Sequence, residues 1–137
     1  MRILGIDYGD SRIGFAVSDP FGWTAQGVET VDARNGIKSV LERIGGFIKY
    51  YSIERIVIGF PRNMNGTIGP RGEKTNEFIK KIEDKFGLPV IKWDERLTTV
   101  SAQKVMIETN VKKTKKKAII DTISATYILQ GYLDSIR

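Results

Sequence analysis

Three places in the chain put a carboxylate where one is costly. Asp7 closes the apolar run Ile3-Leu4-Gly5-Ile6, Asp94-Glu95 closes Val90-Ile91-Lys92-Trp93, and Asp121 falls among small and apolar residues near the C-terminus. An acid beside a buried segment costs several kcal/mol, roughly, unless it is paired, hydrogen-bonded or bound to a metal. Histidine and cysteine are both absent, which removes imidazole bases, thiol nucleophiles, Ser-His-Asp triads, disulfides and the usual zinc sites. Any catalysis must then use carboxylates, hydroxyls, Lys, Tyr or a hard metal ion held by oxygen. Each acid also has a plain structural account. Asp7 can cap a turn by accepting the amide hydrogens of Gly9 and Asp10, and Asp94 or Glu95 can pair with Arg96 on the surface, which is worth little.

The elements that must position these acids follow from periodicity. Ile3 to Ile6 and Ile13 to Val17 read as two strands joined by Tyr8-Gly9-Asp10-Ser11, and Thr24 to Val31 as a third, an antiparallel meander. Ile37, Val40, Leu41, Ile44, Phe47, Ile48 and Tyr51 change the period to that of an amphipathic helix over 36–51. Gly45-Gly46 inside it implies close packing or a break. Arg55 to Phe60 is a compact apolar strand after a helix, and so runs parallel to the first. A helix from about Gly69 to Phe86 buries Phe78, Ile79, Ile82 and Phe86, and Val90 to Trp93 makes a fifth strand before a helix over about 97–108. If Asp94 and Glu95 are extended they point to opposite faces, so only one can share a site with Asp7. In the last helix, about 115–136, Ala118, Asp121, Ala125, Ile128 and Tyr132 share one stripe, which turns Asp121 inward. Two turns in, the helix dipole no longer accounts for it.

The chain of 137 residues has the size of one domain, 1–137, with no stretch long enough to span a bilayer. Asp7 and Asp10 interrupt the only early apolar run, which argues against a secretory signal and for a cytoplasmic location. Lys plus Arg number 22 against 16 Asp plus Glu, a net charge of +6, as expected of a protein that meets a polyanion. The cations concentrate in two places. Residues 59–74 hold four glycines and two prolines with Arg62, Arg71 and Lys74, and Lys112 to Lys117 puts five lysines in six positions. The first is a basic loop whose GxxGxxGEKT is not a P-loop, because Glu73 breaks the Gly-Lys-Thr adjacency. The second is a solvated loop or a phosphate-binding flap.

In IDYGDSRIGFAVSD, IGFPRNMNGTIG, DERLTT and DTISATYILQGYL, taken in order, the chain resembles the YqgF/RuvX family over nearly its whole length. These are RNase H-like proteins, related to RuvC-type Holliday-junction resolvases and described as nucleases that mature the small-subunit (16S) ribosomal RNA precursor. The resemblance implies an α/β fold with a five-stranded mixed sheet of order 3-2-1-4-5, strand 2 antiparallel, and helices on both faces. It places Asp7, Glu95 and Asp121 at the catalytic, metal-binding acid positions, with Asp94 the alternative to its neighbour. Two Mg²⁺ or Mn²⁺ ions about 4 Å apart would then activate water and stabilise the leaving oxygen without histidine. Arg12, Arg62, Arg71, Lys112, Lys113, Lys115, Lys116 and Lys117 would hold the substrate backbone. The expected partner is nucleic acid, structured RNA such as a ribosomal precursor or else a DNA junction, met by a monomer or weak homodimer.

Two other classes compete. An actin-like phosphotransferase also carries Asp-x-Gly after its first strand but needs two such domains around ATP, and a non-catalytic nucleic-acid-binding module would keep the fold without the acids. The lysine run gives a first prediction. Replacing Lys112, Lys113, Lys115 and Lys116 by Gln should weaken binding to all nucleic-acid sequences alike and reduce the slope of log K against log salt. The slope should fall by roughly 0.9 for each phosphate no longer neutralised on duplex, or 0.7 on single strands. Salt titrations with an unchanged slope would leave the run a solvated surface.

Overall fold

The computed structural model describes residues 2–61, 66–94 and 113–136, with side chains of the last stretch from 122 onward. Strands β1 (Arg2–Tyr8), β2 (Arg12–Ser18) and β3 (Ala25–Asp32) lead through a 3₁₀ turn (Ala33–Asn35) into α1 (Ile37–Tyr51). Then follow β4 (Ile53–Phe60), α2 (Pro70–Phe86), β5 (Val90–Asp94) and α3 (Lys113–Ser135). The expected helix over 97–108 lies outside the described residues. The sheet has the order β3-β2-β1-β4-β5. β2 is antiparallel to both neighbours, and β1, β4 and β5 run parallel. This is the expected mixed sheet.

Side-chain alternation divides the sheet into two faces. Leu4, Ile6, Ile13, Phe15, Ile56 and Ile58 lie on one, buried with Val40, Ile44 and Phe47 of α1 and Phe78, Ile79 and Ile82 of α2. Ile3, Ala16 and Val57 lie on the other, buried with Ala125, Ile128, Leu129, Tyr132 and Leu133 of α3. Local signals end the helices where the sequence suggests. Pro70 opens α2, where its missing N–H costs nothing. Gly87, in the left-handed region at φ 65°, closes it with an N–H donated to the Glu83 carbonyl. α1 continues unbroken through Gly45-Gly46. A Cβ on Gly45 would stand 3.2 Å from the Phe86 ring, so that glycine admits α2, whereas Gly46 faces open space.

α3 crosses its face closely. A Cβ on Gly5 would stand 2.7 Å from Leu129 Cβ and 3.1 Å from the Ala125 carbonyl oxygen, and one on Gly27 2.5 Å from Thr122 Cγ2. Gly27 pairs with Ala16, and Ala16 with Gly5. A row of three small residues across β3, β2 and β1 thus receives the helix. Gln130 adds a polar anchor: its Oε1 accepts from Ala25 N at 2.9 Å and its Nε2 donates to the Trp23 carbonyl at 3.0 Å. One side-chain amide so takes the place of a neighbouring strand at the start of the sheet edge, where bare backbone invites unwanted pairing. Gly5→Ala is therefore expected to destabilise the fold by about 1–3 kcal/mol through overpacking. Gly46→Ala should stabilise it by about 0.5–1 kcal/mol through helix propensity. Urea midpoints of the two variants should move in opposite directions.

Candidate active site

Asp7 belongs to β1 itself rather than to the turn beyond it, and its ladder partner in β2 is Gly14. It is half-buried. Since Gly5 meets α3, Asp7 two residues on shares the α3 face, while Tyr8 turns to the other and stacks on Phe78 at 4.3 Å. There burial first, then the Asp10 carboxylate, push the Tyr8 phenol up against the opposing effect of Lys74, so the ring stays neutral. On the other flank of β1, one step beyond the pair Ile6 and Ile58, comes Gly59, itself paired with Trp93 of β5. The row across the sheet at this level is Thr30, Gly14, Asp7, Gly59, Trp93. Both immediate neighbours of the acid lack a side chain.

α3 runs against β1. Contacts pass from Ala25 with Gln130, through Gly27 with Thr126 and Thr122, to Thr30 with Thr122, whose hydroxyl oxygens lie 2.7 Å apart. Residue numbers fall along α3 as they rise along β3 and β1. The helical turn before Ala125, which carries Asp121, is therefore directed toward the end of the sheet where Asp7 stands. Its next residue, Thr122, touches the row that contains Asp7, two strand spacings or roughly 10 Å away. The side chain of Asp121 lies outside the described residues.

Asp94, the last residue of β5, pairs with Phe60. Trp93 before it packs on α3, where a Cβ on Gly131 would meet the indole at 2.9 Å. Lys92 turns the other way, its ammonium 4.8 Å from the centre of the Phe60 ring. Alternation puts Asp94 with Lys92, on the face opposite Asp7. Glu95, Arg62 and Lys112 lie outside the described residues.

Arg12 opens β2 on the Asp7 face, since Ile13 belongs to the other core. Its ladder partner is Asp32. The Asp32 carboxyl is held down to about 2, first by the side-chain and backbone hydrogen bonds from Arg34 and to a smaller degree by Arg12. Arg71 is exposed in the first turn of α2, its carbonyl taken by Thr75 Oγ1 at 2.8 Å. Lys113, Lys115, Lys116 and Lys117 belong to the opening turns of α3 rather than to a loop. Lysine is a good helix former, so the run simply extends the segment that starts at Ala118. Sequence reasoning passes over Thr30 and Thr122, and over Gly59 as a neighbour of Asp7. The two threonines are separated by 92 positions, and no local pattern links them.

A model of the RuvX family, described as Holliday junction resolvase, matches residues 1–135. The chain belongs to the RuvX family. Two relatives carry the name "Putative pre-16S rRNA nuclease". One, from Ruminiclostridium cellulolyticum, is 61% identical over 99% of this chain and 96% of its own length. The other, from Bacillus subtilis, is 50% identical over 100% of both. Among solved structures, RuvC of T. thermophilus in complex with a Holliday junction substrate aligns with a TM-score of 0.63 at 13% identity, over 99% of this chain and 95% of that one. At that identity the likeness is one of fold alone, the RNase H-like mixed sheet.

Because the protein lacks cysteine, the seat of α3 can be tested cleanly. The double variant Thr30→Cys/Thr122→Cys should oxidise to a disulfide, since the hydroxyl positions it replaces are already in contact. The bond should stabilise the fold by about 2–4 kcal/mol. A pair that stays reduced under mild oxidation on non-reducing gels would remove α3 from this position.

Proposed function

We propose that the protein is a metal-dependent nuclease that hydrolyses phosphodiester bonds in the small-subunit (16S) ribosomal RNA precursor, with Asp7, Glu95 and Asp121 as its catalytic acids. The observation that carries the reading is the full-length match, at 61% identity, to a relative bearing that nuclease name. The setting of Asp7 supports it: a half-buried acid between two glycines, on the sheet face covered by the helix of Asp121. The position of Asp94 on the opposite face favours Glu95 as the second acid, because adjacent residues of an extended chain point to opposite faces.

A donor set limited to carboxylates fits hard divalent cations, Mg²⁺ or Mn²⁺, and suits softer metals poorly. Bound there, such ions supply Lewis acidity at the scissile phosphate and lower the pKa of an attacking water. The chain's own part is to hold three oxygen ligands in a rigid frame and to bring the polyanion to them. Four lysines in the opening turns of α3, with no acid in the first, sit where the helix dipole disfavours cations. Phosphates at that end relieve the repulsion, as they would at Arg12, Arg62, Arg71 and Lys112. The working form is one domain, 1–137, in the cytoplasm, as a monomer or weak homodimer. No described helix is long and apolar enough to cross a membrane. A DNA junction is the second reading, favoured by the description of the family model.

Cleavage of structured precursor RNA, single-stranded RNA and four-way DNA junctions with Mg²⁺, Mn²⁺ or EDTA separates the substrates. In the same assays Asp7→Asn, Glu95→Gln and Asp121→Asn should each lose at least ~100-fold, more than groups one shell out from a metal usually cost. Asp94→Asn should lose little. Relief of like-charge repulsion should leave the metal-free melting temperature of Asp7→Asn equal to or above that of the wild type, while its stabilisation by added Mg²⁺ should shrink. Retained cleavage in Asp7→Asn would sink the assignment, and a larger loss in Asp94→Asn than in Glu95→Gln would reverse the choice between those neighbours.

A further inference from the structure

The end of the sheet opposite Asp7 presents exposed aromatic rings. Phe21 is 78% exposed, Trp23 63% and Tyr50 81%. Phe21 and Trp23 stand on the β2–β3 connection with ring centres 5.9 Å apart, and Tyr50 is in the last turn of α1. This is not a loose loop. Asp19 accepts the amide hydrogens of Trp23 at 2.6 Å and Thr24 at 3.2 Å, its own N–H donates to the Thr24 carbonyl, and its carbonyl accepts from Gly22. Gly22 supplies the left-handed φ of 73° that the turn needs, and Gln130 of α3 ties down the Trp23 carbonyl. Each such ring carries roughly 150–250 Å² of surface that is favourable to bury, so rings displayed on a fixed turn mark a contact surface.

Between this turn and the C-terminus of α1 lies an open depression of about 630 Å³, lined by Arg2, Pro20, Tyr50, Tyr51, Ser52 and Glu54. The Arg2 guanidinium lies over the Tyr51 ring at 5.5 Å, and Lys49 is exposed beside Tyr50. Rings, a stacked guanidinium and a floor of hydrogen-bonding groups are what a nucleobase needs, with its flat faces and polar edges. An apolar protein segment would instead bury Arg2, Ser52 and Glu54 without partners.

We infer that Tyr50 at the Arg2 depression, with Phe21 and Trp23 on the turn whose Pro20 also lines it, forms a second nucleic-acid contact that stacks unpaired bases of a single strand at the end of the sheet remote from Asp7. Ile3 N donates to Ser18 Oγ at 2.9 Å, which puts the start of the turn beside the start of β1. Asp7 is four residues further along that strand, roughly 13 Å away, so the contact positions the strand without touching the acids. The choice of nucleic acid as occupant rests on the nuclease reading. The two can fail separately.

The test is equilibrium binding of the full chain, in EDTA, to a labelled single-stranded oligoribonucleotide of roughly 12 residues, within the span of known single-strand sites, and to an RNA duplex. Phe21→Ala, Trp23→Ala and Tyr50→Ala, all at exposed positions, should keep the melting temperature. Each should weaken single-strand binding roughly 5- to 150-fold per base no longer stacked, with little effect on the duplex. The salt slope should stay unchanged, since none of the three side chains neutralises a phosphate. In a Trp93→Phe background the remaining indole, Trp23, should be quenched on adding oligo(A). Unchanged affinity in all three variants with unmoved Trp23 emission overturns the proposal. So does a concentration-dependent dimer in sedimentation that Trp23→Ala abolishes, which would give the surface to a second copy. Stacking that persists in a protein unable to cleave any substrate would overturn the nuclease reading alone.

Discussion

The last helix lies on the sheet at a distance that only glycine and alanine permit. Gly27, Ala16 and Gly5 form one row across three strands, and a methyl group added at either glycine would fall 2.5–2.7 Å from a side-chain carbon of α3. Interiors packed at this density do not absorb an extra carbon by small elastic adjustment; the helix would have to lift or tilt. Functional constellations tolerate only about 0.5 Å of displacement. Any group on the opening half of α3 that must work with Asp7 therefore depends on three side chains being absent or minimal some distance from it. The same row fixes direction. Because α3 is held at Leu129 and Ala125 against Gly5, the turn that precedes Ala125 has a single place to go, toward the C-terminal end of β1.

The next row along the sheet uses small residues for a different purpose. On either side of Asp7, Gly14 and Gly59 put no side chain of their own next to a half-buried carboxylate. A bulky aliphatic neighbour on either strand would deepen the burial of the acid and raise the cost of its charge. Polar anchoring replaces close contact here, through Thr30 and Thr122, at the level where the sheet stops being a core and becomes a surface. One helix is thus gripped by packing over its second half and guided by a hydrogen bond near the acids.

Much of this is legible in the chain. The meander, the change of period at α1, the parallel strands and the order of the sheet all follow from alternation, turn residues and the resemblance to RuvX sequences, and periodicity finds the last helix. Less legible is whatever depends on partners distant in sequence. The turn beyond β1 makes Asp7 look like a cap, yet the strand runs through it to Tyr8, because Gly14 and Ile13 continue the ladder. Gly45-Gly46 suggests close packing or a break, and it is close packing at one glycine only: Gly45 faces Phe86 and Gly46 open space, a distinction that only the placement of α2 decides. The lysine run looks like a loop on charge alone, although its residues are good helix formers joined to a helix. Gln130 has no visible role until its amide meets the backbone of a strand 105 residues away.

The adjacent acids Asp94 and Glu95 show how a functional choice reduces to strand geometry. Sequence can establish only that the two, if extended, serve opposite faces; which face is which depends on the register of β5 against β4, set by apolar residues remote from any chemistry. Val90 pairs with Ile56 and Trp93 with Gly59, and the indole fits α3 at Gly131 because that residue has no side chain. Slipping β5 by one residue would send Trp93 into the α1 and α2 core and Lys92 under α3, burying an ammonium ion without a partner. The register is therefore held by an aromatic anchor on one side and a lysine that must stay wet on the other. Asp94 inherits the direction of Lys92, away from Asp7, as a consequence of where the tryptophan packs.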